Sequence, residues 1–112
     1  RRVLTAEVAR EISRILAEST QLGPEEARVP GYSLAGKTGT APAPDRIAPE
    51  HMYSMVSYVG YGPVPDARFV VFVKFEKPRQ TMWLEDAAAP AFSRMAQYLL
   101  DYYGIPPQTS AS

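Results

Sequence analysis

The residues with the clearest chemical potential stand together at Lys37-Thr38-Gly39-Thr40. A lysine supplies a fixed positive charge for a substrate carboxylate and shifts the proton equilibria of its neighbours. Threonine hydroxyls donate hydrogen bonds to a carboxylate, and glycine removes a Cβ that would block a close approach. A backbone N–H directed into such a site stabilises an oxyanion, which is worth roughly 100- to 1000-fold in rate. This string therefore predicts the substrate-binding strand of a serine acyl-transfer site.

The spacing of these residues also predicts where in a sheet they must lie. Alternation along a β-strand sends Lys37 and Gly39 to one face, and it sends Thr38 and Thr40 to the other. A site that uses all of them must lie at the edge of the sheet, where both faces and the backbone are reachable. The competing interpretation is a glycine-rich surface strand or turn whose lysine is solvated.

The segment from Gly31 to Thr38 also fits the phosphate-loop pattern G-x-x-x-x-G-K-S/T. That loop holds phosphate where an apolar strand leads into it and a helix begins after its lysine. Here Pro30 and a polar segment precede the pattern, where the apolar strand should be. Pro42 and Pro44 follow it and disfavour a helix. Nucleotide binding is therefore the weaker interpretation of this segment.

Composition excludes several other classes of function. The 112 residues carry 12 Lys and Arg against 12 Asp and Glu, so nothing favours nucleic acid or an anionic membrane as a partner. Cysteine is absent, which excludes disulfides and cysteine-ligated metal. The only histidine, His51, has no partner for a metal site or a catalytic dyad, so we interpret it as a surface residue and predict no metal or cofactor. There is no signal peptide or transmembrane run, and the opening on Arg1 indicates a piece of a longer protein.

Hydrophobic periodicity predicts an α+β fold in which a three-stranded antiparallel sheet packs with two amphipathic helices. The predicted elements are a helix at 4–19, strands at 32–41, 52–61 and 68–76, and a helix at 86–103. Thr5 is the expected N-cap of the first helix, and Gly104 is expected to end the second. Residues 108–112 are predicted to form a disordered tail.

Each helix carries an apolar stripe, which we expect to pack on a sheet face or on a neighbouring helix. In the first helix the stripe consists of Leu4, Val8, Ile12, Ile15 and Leu16. In the second helix it consists of Ala88, Phe92, Met95, Leu99 and Tyr103. Trp83, in the charged loop that precedes the second helix, is expected to pack against the sheet.

Three segments together resemble the C-terminal third of a class B penicillin-binding protein, and the resemblance covers nearly the whole chain. They are VPGYSLAGKTGTA at 29–41, YSMVSYVGYGPVPDARFVVFVKF at 53–75 and AAPAFSRMAQYLLDYYGIPP at 88–107. The sequence is most similar to the septal D,D-transpeptidase of cell division; an elongation-type transpeptidase is the nearer alternative, and a serine β-lactamase is the more distant one. The resemblance implies that residues 1–107 are the C-terminal portion of a transpeptidase domain with a partial penicillin-binding or serine β-lactamase-like fold.

In that family a serine attacks the penultimate D-alanine of a peptidoglycan stem peptide, an amine of another stem resolves the acyl-enzyme, and β-lactams mimic the donor. The resemblance implies that Lys37 joins the active-site hydrogen-bond network near a serine of a second motif. It implies that Thr38 and Thr40 bind the donor or β-lactam carboxylate, that the backbone N–H of Thr40 completes the oxyanion hole, and that Gly39 gives clearance. It also implies a place at the periplasmic face of the bacterial inner membrane, with cell-division proteins as partners.

The sequence departs from the family pattern in what it lacks. No serine has a lysine three residues later, and the chain contains no asparagine, so the S-x-x-K and S-x-N motifs are both absent. We therefore expect the nucleophile, the general base and half of the oxyanion hole to come from the N-terminal portion of the same transpeptidase. The chain by itself should therefore not turn over a substrate. The alternative is a non-enzymatic module that keeps the fold for binding or scaffolding.

Overall fold

A computed structural model describes residues 1–44, 47–48, 50–76 and 84–108, and only the backbone of residues 52 and 84–86. Its elements are helix α1 (Ala6–Leu22), a 3-10 turn (Glu25–Ala27), strands β1 (Ala35–Pro44), β2 (Met52–Gly62) and β3 (Phe69–Glu76), and helix α2 (Leu84–Tyr102). The strands form an antiparallel sheet in the order β1-β2-β3. The predicted order of helix, three antiparallel strands and helix is confirmed. The prediction for Trp83 lies outside the described residues.

Strand β1 begins and ends three residues later than the predicted strand and includes Pro42 and Pro44. Proline lacks the backbone N–H that would donate to a neighbouring strand, so within sheets it is confined to edge strands, first residues and bulges. Within the described part of the chain, β2 is the strand hydrogen-bonded to β1. Lys37-Thr38-Gly39-Thr40 therefore lies on an edge strand, as its use as a site requires.

Helix α2 covers one face of the sheet and forms the main core. Phe92 is fully buried, and its ring centroid lies 4.7 Å from that of Tyr58 on β2. The buried residues of α2 are Ala88, Ala89, Phe92, Ala96 and Leu100. The predicted stripe was wrong for Met95 and Tyr103, which are 48% and 46% exposed. The buried face instead contains alanines, whose small side chains let the helix backbone lie close to the sheet.

Helix α1 begins as predicted, since the Val8 N–H donates to the Thr5 hydroxyl at 3.2 Å. Its buried residues are Ala17 and Thr20, and Ala17 packs in a small cluster with Ala35 and Val64. The predicted apolar stripe does not face the sheet. Leu16 is partly buried, but Leu4, Val8, Ile12 and Ile15 are 40% to 51% exposed.

The geometry of α1 explains why its stripe is left uncovered. The helix meets the sheet through Ser13, whose hydroxyl is 2.9 Å from the Tyr61 hydroxyl, and through Ala17 and Thr20. At about 100° per residue, Ile12 and Ile15 lie well around the helix from this line. No described element of the chain covers that side. Neither described helix is long and apolar enough to cross a membrane.

The C-terminus of α2 ends as predicted at Gly104, which has a φ of 62°. The Ile105 N–H donates to the Leu100 carbonyl at 2.9 Å and the Gly104 N–H to the Asp101 carbonyl at 3.1 Å, the pattern of a Schellman motif. The predicted disordered tail was wrong at its first residue, Gln108.

Gln108 is held by three hydrogen bonds to neighbouring segments. Its backbone N–H donates to the Gly31 carbonyl at 2.9 Å, and its Nε2 donates to the Val64 carbonyl at 2.7 Å. Its Oε1 accepts from the Ser33 N–H at 2.7 Å. The side chain therefore joins the residues before β1 to the turn after β2. Residues 109–112 of the predicted tail lie outside the described residues.

Candidate functional site

The ladder between β1 and β2 is regular through the motif, so Lys37 and Gly39 share one face of the sheet and Thr38 and Thr40 share the other. The exposure of the four residues does not follow these two faces. Lys37 and Thr40 are exposed, whereas Thr38 and Gly39 are partly buried. Opposite partners share a face of the sheet. The pairs are Lys37 with Val59, Thr38 with Tyr58, Gly39 with Ser57, and Thr40 with Val56.

The motif lies between two clefts. The first, of about 210 Å³, lies between the end of α1 and the start of β1 and is lined by Ser19, Thr20, Gly23, Pro24, Gly36, Lys37, Thr38 and Tyr58. The second, of about 420 Å³, is lined by Gly39, Thr40, Ala41, Met55, Ser57, Phe72 and Lys74. Neither cleft contains all the motif residues. A ligand that contacts the whole motif must therefore lie along the edge of β1, as the strand geometry predicted.

The charge of Lys37 is available to a ligand. Its Nζ donates to the carbonyl oxygen of Thr38 at 3.1 Å and to the hydroxyl of the same residue at 3.2 Å. Both acceptors are neutral. Among the residues that the structure describes, the ion pairs join Arg14 to Glu11 and Glu18, and Lys74 to Glu76; none involves Lys37. An incoming carboxylate can therefore replace neutral acceptors without breaking an ion pair.

The two glycines beside Lys37 make room for side chains of the neighbouring strand. A Cβ on Gly39 would lie 2.7 Å from the hydroxyl oxygen of Ser57, which donates to the Gly39 carbonyl at 3.5 Å. A Cβ on Gly36 would lie 2.4 Å from the hydroxyl oxygen of Tyr58. The sequence analysis did not identify Ser57 or Tyr58 as site residues, because only the pairing register brings them next to the motif.

A third cleft, of about 390 Å³, lies away from the motif between α1 and Pro65. Of the charged residues that line it (Arg10, Arg14 and Glu18), Arg14 is bound by Glu18 at 2.6 Å and also by Glu11 at 2.7 Å. These pairs raise the pKa of Arg14, and the guanidinium lowers the pKa of Glu11. Because these charges are satisfied within one helix face, we do not place the site there. His51 is exposed, and the described residues contain no group of three side chains able to hold a metal ion.

Comparison with known proteins identifies the family. Residues 1–97 match the family model of the penicillin binding protein transpeptidase domain, so the chain belongs to this family. The expected relation to penicillin-binding transpeptidases is therefore confirmed. No comparison tests the roles of the individual motif residues, which stay predictions.

Individual relatives match almost the whole chain but only part of their own length. The probable peptidoglycan D,D-transpeptidase PbpC of Pseudomonas aeruginosa is 33% identical over 96% of this chain and 20% of that protein. Penicillin-binding protein PbpB of Mycolicibacterium smegmatis is 29% identical over 94% of this chain and 18% of that protein. The chain thus spans about a fifth of the length of these curated relatives.

A solved structure shares the fold. The transpeptidase domain of penicillin-binding protein 3 from Burkholderia pseudomallei superposes with a TM-score of 0.83 at 30% identity. The match covers 98% of this chain and 34% of that chain. The predicted partial transpeptidase fold is therefore confirmed, and the larger part of that domain has no counterpart here.

Proposed function

We propose that this chain supplies the substrate-binding edge strand of a peptidoglycan D,D-transpeptidase, which cross-links stem peptides through an acyl-serine intermediate. One observation carries the proposal: in a chain of the penicillin-binding family, Lys37 projects from an exposed edge strand with no carboxylate partner among the described residues. The strand lies between two clefts and is open to a peptide or a β-lactam along its length.

Each residue of the motif has a distinct proposed role. The ammonium of Lys37 joins the active-site hydrogen-bond network and adds fixed positive charge. The hydroxyls of Thr38 and Thr40 donate to the carboxylate of the donor peptide or of a β-lactam. The backbone N–H of Thr40 stabilises the oxyanion of the tetrahedral intermediate. Gly39 keeps the strand free of a side chain where the acyl group approaches.

The rest of the catalytic machinery belongs to another part of the same protein in this proposal. The S-x-x-K serine would attack the penultimate D-alanine carbonyl, the leaving D-alanine would depart, and an amine of a second stem would release the product. Neither S-x-x-K nor S-x-N occurs in this chain. The N-terminal portion of the transpeptidase is therefore the necessary partner, and the chain alone is inactive.

The cellular setting follows from the same resemblance. We place the complete protein in the bacterial cell envelope, with this domain at the periplasmic face of the inner membrane, and we assign it to septal synthesis with cell-division proteins as partners. A fluorescent fusion of the complete protein should concentrate at the division site. An even distribution along the side wall would instead support the elongation-type role.

Acylation kinetics of the complete protein test the proposed role of Lys37. Lys37→Ala should slow acylation by a fluorescent penicillin by about a hundredfold, because a preorganised charge in the site is lost. Arg94→Ala is the matched control, since Arg94 is an exposed cation on α2, outside both clefts. Its acylation should match that of the wild type. Unchanged acylation of Lys37→Ala would exclude the role given to this residue.

A further inference from the structure

Tyr58 lies beside the start of the motif, on the face of the sheet that α2 covers, and Phe92 of α2 packs against it. It pairs with Thr38 across the β1–β2 ladder and is only 2% exposed. Its ring packs on Phe92 of α2 with an interplanar angle of 40°. Phe92 in turn sits tightly over β2, because a Cβ on Gly60 would lie 2.3 Å from its ring. The ring of Tyr58 therefore has little freedom to withdraw.

The other side of the Tyr58 ring fills the space above Gly36, the residue immediately before Lys37. A Cβ at Gly36 would lie 2.4 Å from the hydroxyl oxygen and 2.6 and 2.7 Å from two ring carbons. Gly39 differs, because its only close neighbour is the hydroxyl of Ser57, which can rotate away. The backbone that enters the motif is thus held against a fixed aromatic ring.

Tyr58 also reaches the third element that meets at this point. That element is α1, whose Thr20 is 4% exposed and donates to the Leu16 carbonyl at 2.9 Å. Thr20 and Tyr58 line the same cleft as Lys37. The Tyr58 side chain therefore lies where α1, α2 and the start of the motif come together.

We propose that Tyr58 is a positioning residue of the acyl-transfer site, whose ring fixes the backbone at Gly36 and thereby the placement of Lys37 and Thr38. It does not touch the substrate. This role rests on the proposed transpeptidase function. Its importance follows from geometry, since a displacement of about 1 Å in a positioned catalytic group can slow a reaction by about a hundredfold.

The test compares acylation of variants of the complete protein by a fluorescent penicillin, at a temperature where circular dichroism shows each variant to be folded. Tyr58→Leu should slow acylation at least about tenfold, and Tyr58→Phe, which keeps the ring, should restore most of the rate. Val73→Ala is the matched control. Val73 is buried on the same face of the sheet and pairs with Tyr58 from β3, away from the motif. Its acylation rate should stay near that of the wild type.

A double-mutant cycle separates positioning from general destabilisation. Gly36→Ala should slow acylation in the presence of the Tyr58 ring, because the new methyl group collides with it. In the Tyr58→Leu background the same substitution should have little further effect, so the two losses should be strongly non-additive. Additive losses, or a loss in Tyr58→Leu no larger than in Val73→Ala, would overturn the positioning role. If Tyr58→Leu does not fold, full-speed acylation of folded Gly36→Ala would also overturn it.

The controls distinguish this role from the function on which it rests. A wild-type protein that penicillin does not acylate would overturn the proposed transpeptidase function, and the positioning role with it. A wild-type protein that reacts, while the Tyr58 and Gly36 variants react equally fast, would overturn the positioning role alone.

Discussion

The two helices pack against the same sheet in different ways. Helix α2 buries Phe92 and Leu100 completely, and its buried residues form one hydrophobic core with residues of β2 and β3. Helix α1 buries only Ala17 and Thr20 fully, and it leaves a row of aliphatic side chains, including Val8 and Ile12, exposed. The comparison shows that α2 buries an apolar face within this chain, whereas α1 presents an apolar surface that the described residues do not cover.

The motif lies where these two regions meet. The first residues of β1 contact the well-packed side through Tyr58, and the cleft beside Lys37 is closed on its other side by the end of α1. Tyr58 therefore holds the start of the strand, and the outer edge of β1 stays open between the two clefts. Since the chain covers 34% of a solved transpeptidase domain, we expect the remainder of that domain to meet α1 and to bring the nucleophile.

The largest expected effect is on the complete core. Phe92→Ala should lower the free energy of unfolding by about 3–5 kcal/mol, because it removes a fully buried ring and leaves a cavity. Tyr98→Ala on the same helix is the control; this residue is 66% exposed and should change the free energy by at most about 0.5 kcal/mol. Urea unfolding followed by circular dichroism measures both. Equal losses would show that α2 does not pack as described.

The next effect depends on what covers α1. In the chain alone, Ile12→Ala should change the free energy of unfolding by at most about 0.5 kcal/mol, since Ile12 is 40% exposed. In the complete domain the same substitution should cost about 2–5 kcal/mol, as for a buried isoleucine. Gln21 is exposed on the same helix, so Gln21→Ala should change the free energy of unfolding little in the chain alone and in the complete domain. If Ile12→Ala has the same small effect in both, then the rest of the domain does not cover this stripe.

A smaller effect should appear at alkaline pH. Burial raises the pKa of Tyr58 above its ordinary value of 10.0, and the neighbouring Thr20 side chain opposes this only in part. Below about pH 10 the Tyr58 hydroxyl is protonated in both the folded and the unfolded chain, so its titration does not affect stability there. Above it the unfolded chain loses the proton first, and stability falls as pH rises.

Unfolding measured between about pH 8 and pH 11 checks this expectation. Tyr58→Phe should flatten the alkaline decline, and Tyr98→Phe should leave it unchanged because Tyr98 is exposed. An unaltered decline in Tyr58→Phe would show that Tyr58 is not its source.

The smallest effect belongs to the exposed ion pairs of α1. Arg14 lowers the pKa of Glu11. The pair therefore stabilises the folded chain above the ordinary carboxyl pKa, and this stabilisation is lost as pH falls through the lowered pKa. Because the pair is exposed, solvent and salt screen it. Glu11→Gln should therefore leave the melting temperature almost unchanged at physiological salt. A clear loss that persists in high salt would indicate a packing role instead.

The sequence predicted the elements of this fold better than their faces. Periodicity predicted the order of helices and strands, and Gly104 predicted the end of α2 through its tolerance of positive φ. The buried face of α2 was misjudged at Met95, because alanines on the adjacent side fit closer to the sheet. The exposed stripe of α1, including Ile12, could not be foreseen, since periodicity shows that a helix has an apolar face but not whether another element covers it.

The candidate site was predictable only in part for a similar reason. Lys37 and Thr40 were found because their types and spacing form a contiguous motif. Ser57 and Tyr58 were not, because their approach to Gly39 and Gly36 depends on the register of β2 against β1. Register depends on the hydrophobic patterns of both strands together and on the geometry of the connection between them, so neither strand shows it alone.

The most direct test of a site divided between two parts of one protein is labelling with a fluorescent penicillin. The chain, the N-terminal portion of the transpeptidase, and a mixture of the two should be compared. Labelling only in the mixture, with the label on the N-terminal portion, is the predicted result. Labelling of this chain alone would contradict it by revealing a nucleophile here. Absence of labelling when both portions are folded and associated would contradict the proposed function itself.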